Sequence, residues 1–380
     1  MMPSDARKIL YVSGTRADFG LMRSTLCRIS ATPGLSLEVV ATGMHLDPTF
    51  GETWREIESA GLDLVAQIKV TLSPATGATM AAAIGTMIGE FVTVFQRRAP
   101  DVVLVLGDRG EMLAAAIAAI HLNIPVAHIH GGERSGTVDE SVRHAITKLA
   151  HLHFAATEEA RGRIIALGEN PDHVFVSGAP GLDDIVSRKT PSRDEALAGY
   201  GFDLSRPVGL ILYHPVLQEA GVAARNARAV LDAVRSAGWQ AVALMPNADA
   251  GSEEVRAAFT DDTNPDILKR VHLPRDEFIT LMATVDAMIG NSSSGIIEAA
   301  SFGTPVLNIG TRQNLRERNA NVQDLPDDGA QITQALARLS VGYRCPIHNV
   351  YGDGSAADKI CQVLADLPIG PDILNKVLRY

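Results

Sequence analysis

The chain has 380 residues, 46% hydrophobic and 21% charged, with a formal net charge of −10, the profile of a globular protein long enough for two domains. That acidic balance argues against nucleic-acid and membrane-surface partners and leaves room for a local basic pocket around an anionic small molecule. Three widely spaced cysteines, Cys27, Cys345 and Cys361, argue against a disulfide framework or structural zinc and predict a reducing, cytoplasmic setting.

From the N-terminus, a short polar start without a signal-peptide pattern leads into the strand candidate "KILYVSG" (8–14). "LEVVATG" (37–43), "DVVLVLGD" (101–108), "PVAHIH" (125–130), "FAAT" (154–157) and "VFVSG" (174–178) follow. Between them, "MAAAIGTMIGEFVTVF" carries Glu90 and ends at Arg97 and Arg98, so it reads as a buried or amphipathic helix and not a membrane span. "EMLAAAIAAIHL" is a second helix. After about residue 185 the turn-rich "GAPGLDDIVSRKTPSRDEALAGYG" marks a boundary, and the alternation restarts. The later strand candidates are "VGLILYHP" (208–215), "QAVALMPN" (240–247), "AMIGNSS" (287–293) and "PVLNIG" (305–310), with "AARNARAVLDAVRSAG" as a helix. Several runs are apolar on both faces, as strands covered by helices on each side would be.

Strand–helix alternation implies parallel sheets with right-handed crossovers. The expectation is α/β: two Rossmann-like doubly wound domains, 1–185 and 186–361, facing a cleft. The closing helix "ADKICQVLADL" either ends the second domain or crosses back, with 362–380 completing the first. Ligands of open parallel sheets bind beyond the carboxyl ends of the strands, and the polar motifs cluster there.

"SGTRADFG" puts Gly14 at a strand-to-helix turn followed by Arg16, a side chain suited to phosphate oxygens; a helix cap with a surface Arg is the alternative. "GDRGE" sets Asp108 and Arg109 directly after an apolar strand, where partial burial would tune a carboxylate for acid–base work. His214 after "LILY" is placed similarly, or caps a strand end. "GNSSSGIIEAASFGTPV" offers Asn291, Ser292 and Ser293 at a helix start that favours a diphosphate, with Glu298 available to a ribose diol; an ordinary serine N-cap is the alternative. Arg312, Arg316 and Arg318 of "GTRQNLRERN" are phosphate or base contacts, or a solvated helix face.

"HIHGGERSGTVDESVRHAITKLAHLHF" (128–154) holds five of the eleven histidines. His128 and His130, two apart on a strand, would face the same side. Neither HExxH nor a Cys pair occurs, so no metal is expected. His144, His151 and His153 read as helix and packing residues. Asp139 and Glu140 lie at a helix start, where negative charge is favoured; that accounts for one of them.

Together "GTRADFG", "VLGDRGEMLAAA", the histidine-rich stretch and "GNSSSGIIEAASFGTPVLNIGTRQ" resemble the sugar-nucleotide 2-epimerase family over essentially the whole chain. "GTRAD", where non-hydrolysing relatives read "GTRPE", points to the hydrolysing branch of sialic-acid-type biosynthesis. The resemblance implies a GT-B-like architecture with UDP held mostly by the second domain. It implies conversion of UDP-N-acetylglucosamine and water to N-acetylmannosamine and UDP, by elimination to a 2-acetamidoglucal and hydration with C2 inversion. No cofactor is implied, and homodimers or higher oligomers are. By position it makes Asp108, Asp139 and His214 catalytic, assigns UDP contacts to Arg16, Ser292, Ser293, Glu298 and Arg312, and sets His45 and Arg109 near the sugar or phosphates.

One departure stands out. Many family members carry glutamate in "HIEGGE" where this chain has His130, with Glu133 three places on. Either His130 transfers the proton with its near-neutral pKa, or Glu133 does, or the exchange accompanies another sugar. Some relatives act on UDP-2,4-diacetamido-2,4,6-trideoxy sugars of the legionaminic acid route. A GT-B glycosyltransferase and a non-catalytic UDP-sugar sensor are the other classes. The first would want an acceptor groove with a basic, aromatic patch; the second has no need of Asp108, Asp139 and His214 together.

Overall fold

A computed structural model describes residues 6–379 except 136, 137 and 187. Gly136 and Thr137 of the histidine-rich stretch, Ser187 of the boundary segment and the terminal Tyr380 therefore lie outside the described residues. Strands β1 (Arg7–Ser13), β2 (Leu35–Thr42), β3 (Leu64–Ile68), β4 (Val102–Leu106), β5 (Val126–Ile129), β6 (Leu152–Ala155) and β7 (Val174–Val176) form one parallel sheet in the order β3-β2-β1-β4-β5-β6-β7. A second parallel sheet contains β8 (Val208–Leu212), β9 (Gln240–Leu244), β10 (Ile267–Arg270), β11 (Ala287–Gly290), β12 (Val306–Ile309) and β13 (Val322–Leu325), ordered β10-β9-β8-β11-β12-β13. Each order reverses once, between β1 and β4 and between β8 and β11, and that switch point is where open sheets bind ligands.

The strand alternation explains the layering. In β1, Ile9 and Tyr11 join one core while Leu10 and Val12 join another. In β4, Leu104 goes with the first and Val103 and Val105 with the second. Successive side chains point to opposite faces, so a strand apolar at every position must be covered on both sides. The strands that sequence patterning passes over, β3, β10 and β13, all lie at sheet edges. Their polar residues Gln67, Arg270, Gln323 and Asp324 are exposed there, which breaks the apolar run that identifies interior strands.

Helix Gly77–Arg98 is, among the described residues, the one long and apolar enough by length and composition to cross a membrane. Here Ala83, Met87, Phe91, Val94 and Phe95 pack into the first sheet's core, while Ala81, Gly85, Gly89, Glu90 and Gln96 are exposed. It is an amphipathic cover helix in this fold.

The closing helix is Ala356–Asp366, starting six residues before the expected return point at 362. Its Ala356, Ile360, Cys361 and Leu364 enter the core formed by β1, β2 and helix Arg16–Ala31. Ser355 provides no side-chain cap. Asp183 does so from a distance, accepting from the backbone N–H groups of Ala356 at 2.9 Å and Ala357 at 2.6 Å and satisfying two donors a helix start leaves open.

Candidate active site

The loops after β1, β4 and β5 face those after β8, β11 and β12. After β1, Thr15 caps helix Arg16–Ala31 in a reciprocal capping box with Asp18, and Arg16 Nε pairs with Glu56 at 2.5 Å. Gly14 is glycine because the Glu111 side chain fills the space: an added Cβ would stand 2.9 Å from Glu111 Cγ. His45, fully buried, shares hydrogen bonds through Nε2 with Ser13 Oγ at 2.9 Å and through Nδ1 with Thr53 Oγ1 at 2.8 Å. Burial pushes its pKa down to about 4. With both ring nitrogens engaged, it braces the β1 loop.

After β4, Asp108 accepts a hydrogen bond from Nη2 of the fully buried Arg143 and lies 3.7 Å from Arg316. Burial alone would raise its pKa, but Arg143, Arg316 and Arg312 outweigh burial and hold the carboxyl near 2. Arg109 reaches 3.3 Å from Glu111 and, across the cleft, 3.5 Å from Asp249.

The expectation that His128 and His130 share a strand face is corrected. β5 ends at Ile129, and His130 takes φ +63°, a left-handed conformation uncommon for a side-chain-bearing residue. His128 turns into the core, fully buried, with Nε2 at 2.7 Å from the Gly107 carbonyl and Nδ1 at 3.3 Å from Thr147 Oγ1. His130 Nδ1 instead meets Glu133 Oε1, while the other Glu133 oxygen meets Arg316 Nη1. The near-neutral pKa expected for His130 is also corrected: burial, then Arg316 and Arg143, lower it to about 3, so the imidazole rests neutral. The two glycines between them have a packing role: a Cβ on Gly132, at φ +75°, would fall 2.2 Å from the Ala160 carbonyl oxygen.

Helix Val138–Leu149 separates the paired acids in its first turn. Glu140 Oε2 accepts from the Ser135 N–H at 2.9 Å, the structural part of the pair. Asp139 lies 3.9 Å from Arg312. Burial and the nearby Asp108 raise it to about 6, against the pull of Arg312. Asp108 and Asp139 are thus driven apart, one ionised and one able to hold a proton near neutrality, the arrangement that assigns separate acid and base duties.

On the opposite wall, Asn291 ties the ends of β8 and β11: its Oδ1 accepts from the His214 N–H at 2.7 Å and its Nδ2 donates to the His214 carbonyl at 2.8 Å. The His214 ring, its Nδ1 buried without a partner, is lowered to about 3 by burial and Arg312. Ser292 caps the short helix Ser293–Ile297, its hydroxyl accepting from the Ser294 N–H, while the Asn291 N–H is taken by the Leu212 carbonyl. Glu298 pairs with Arg275 at 2.5 Å. "GTRQNLRERN" is not helical: Arg312 Nη1 donates to the Asn291 carbonyl at 3.1 Å, and Arg318 turns back on Asp324 and the Gln313 carbonyl.

Sequence reading misses Arg143, Glu111, Asp249 and Arg275. Arg143 carries a faint signal, lying one helical turn after Asp139 on the same face. No group of three or more His, Cys, Asp or Glu able to hold a metal ion occurs among the described residues. The site is a two-walled cleft with guanidinium groups interleaved among carboxylates and two neutral imidazoles.

A family model described as UDP-N-acetylglucosamine 2-epimerase matches residues 28–365. The chain is 48% identical to a UDP-N,N'-diacetylbacillosamine 2-epimerase (hydrolyzing) of Legionella pneumophila, over 98% of this chain and 100% of that protein. It is 34% identical to a UDP-N-acetylglucosamine 2-epimerase of Neisseria meningitidis serogroup B, over 83% of each. In three dimensions it is similar to a Neisseria meningitidis UDP-GlcNAc 2-epimerase solved with UDP-GlcNAc, with TM-score 0.76 and 20% identity, covering 94% of this chain and 99% of that one.

Proposed function

This chain belongs to the UDP-N-acetylglucosamine 2-epimerase family of UDP-sugar 2-epimerases, with two parallel-sheet α/β domains in a GT-B-like arrangement, and from that premise we propose that it is a hydrolysing enzyme acting on UDP-2,4-diacetamido-2,4,6-trideoxyglucose. The full-length 48% identity to a hydrolysing diacetylbacillosamine epimerase carries this choice of sugar. UDP-N-acetylglucosamine is the second reading, favoured by the Neisseria relative.

The reaction runs in two halves. The loop Asn291–Ser294 and Arg312 hold the diphosphate, whose negative charge grows as the C1–O bond breaks. Glu133 is engaged at both oxygens, so it orients and does not transfer. His130 Nε2 then removes the C2 proton while UDP leaves, giving the 2-acetamidoglucal. Asp139, in its protonated form, returns a proton to C2 from the opposite face. Asp108, ionised, takes a proton from the water that adds at C1. His214 faces the leaving diphosphate. The products are the free 2-epimeric sugar and UDP, formed in the cytoplasm without a cofactor by a homo-oligomer, a dimer or tetramer.

Incubating the purified protein with each UDP-sugar in deuterated water decides the matter by NMR. The expected result is UDP and a free 2,4-diacetamido sugar bearing deuterium at C2. Turnover of UDP-N-acetylglucosamine alone moves the substrate assignment, and a UDP-linked epimer as final product overturns the hydrolysing assignment.

A further inference from the structure

Segment 311–318 follows β12 of the second sheet, yet its side chains end among the acids beyond the first. Arg312 stands 3.9 Å from Asp139, Arg316 Nη1 meets Glu133, Arg316 Nη2 lies 3.7 Å from Asp108, and Glu317 accepts from Thr157 Oγ1. The segment is braced internally: Arg318 donates to the Gln313 carbonyl at 2.6 Å and to the Arg316 carbonyl at 2.8 Å. It is also fixed to the diphosphate loop, because Arg312 Nη1 and Gln313 Nε2 both donate to the Asn291 carbonyl, at 3.1 and 3.2 Å. One strap therefore touches both the nucleotide loop and the acid–base groups.

Arg316 concentrates the effect. Sequence reading offers it as a phosphate or base contact, but its guanidinium, 8% exposed, faces two carboxylates. Glu133, 4% exposed, would be driven toward its neutral form by burial without a cation beside it. A neutral carboxyl could donate to His130 Nδ1, placing the ring hydrogen on Nε2 and removing the lone pair that a C2 proton needs. An ionised Glu133 accepts from Nδ1–H and leaves Nε2 open.

We propose that Arg316 is a positioning residue: it keeps Glu133 ionised, thereby fixes the base-competent tautomer of His130, and is held to that task by a strap bonded to the nucleotide loop. This assignment rests on the proton-transfer role proposed for His130.

The test compares Arg316→Met and Arg316→Lys with the wild type. Arg316→Met is expected to lower kcat about 10- to 100-fold, the usual cost of losing a group that orients a reacting one. KM and calorimetric UDP affinity should stay within about threefold, as for an interaction felt only in the chemical step. Arg316→Lys should recover part of the rate. A low-field ring N–H resonance that Glu133→Gln also abolishes should be present in the wild type and lost in Arg316→Met. A fall in UDP affinity parallel to kcat/KM would make Arg316 a phosphate contact and overturn the proposal, as would an unchanged kcat and resonance. The resonance and UDP affinity need no turnover, so a wild type inactive on both sugars defeats the substrate assignment while the Arg316 contact is still decided by those two readouts. If Arg316→Met does not fold, the double variant Glu133→Gln/Arg316→Met removes both charges. It is expected to be no slower than Glu133→Gln alone, and a further loss beyond that of Glu133→Gln overturns the proposal.

Discussion

Glu133 receives the Nδ1 side of the His130 imidazole, and the contact exists because His130 itself takes φ +63°. A residue held in that sparsely populated region costs on the order of 1–3 kcal/mol and persists where surrounding structure enforces it. The enforced turn swings the ring away from the strand direction followed by His128 and sets Glu133 behind it.

Replacing the pair should separate transfer from orientation. His130→Asn is expected to lower kcat by about 10²- to 10⁴-fold, the usual contribution of a general base. Glu133→Gln should cost less, about 10- to 100-fold, as an orienting group does. Deuterium uptake at C2 under single-turnover conditions measures both. Equal losses, or a greater loss at Glu133, would make Glu133 the base.

Asp139 gives a pH signature. Its pKa is raised to about 6, so a general acid at this position should be lost as pH rises through about 6, seen as the alkaline limb of kcat/KM. The stability effect has a definite sign. A raised carboxyl contributes stability fully below the unfolded value near 3.8 and loses it as pH climbs through about 6. Asp139→Asn should therefore stabilise the fold at pH 8, by about 1 kcal/mol after discounting for partial exposure, and change little at pH 4. Thermal melts at the two pH values check this.

Buried Glu169 is held by Lys148 at 2.5 Å, Lys376 at 2.6 Å and His153 at 3.2 Å. Burial would raise its pKa, but hydrogen bonds from His153, Lys148 and Lys376 lower it to about 2. Its stability contribution is present above the unfolded value near 4.5 and is lost as pH falls through about 2. Glu169→Gln should destabilise by about 3 kcal/mol, because it breaks a buried ion cluster from one side. Urea denaturation measures the loss, and kcat should be unchanged.

Gly132→Ala tests the turn itself. The new methyl would fall 2.2 Å from the Ala160 carbonyl oxygen, and backbone cannot yield as a flexible side chain can. Loss of soluble protein or a drop of several degrees in Tm is expected, with the His130 resonance disturbed. A variant with normal Tm would show that helix Glu158–Ala166 has room to move.

How far the site was legible in the sequence depended on what each residue does. Asp108, Asp139, His214 and the serine loop stand at strand ends or helix starts, positions that local pattern reveals. Asp249 is invisible to pattern and Arg143 nearly so, because their roles come from partners 140 and 35 residues away. The edge strands escaped for a related reason, since exposed polar residues such as Gln67, Arg270 and Gln323 interrupt the continuous apolar run. His130 was the opposite case: its residue type was noted, but its direction depended on a backbone angle that no spacing rule supplies.

The return of helix Ala356–Asp366 to the first core has a consequence for synthesis. Domains of a nascent chain usually fold in the order they emerge. Here the β1-to-β7 half is made first but lacks Ile360, Cys361, Leu364 and Ile373 until the β8-to-β13 half has been translated. Helix Arg16–Ala31 must wait on the ribosome with the apolar face around Leu26 and Ile29 uncovered. The β8-to-β13 half, with its own core, can mature meanwhile, so the part made first is completed last.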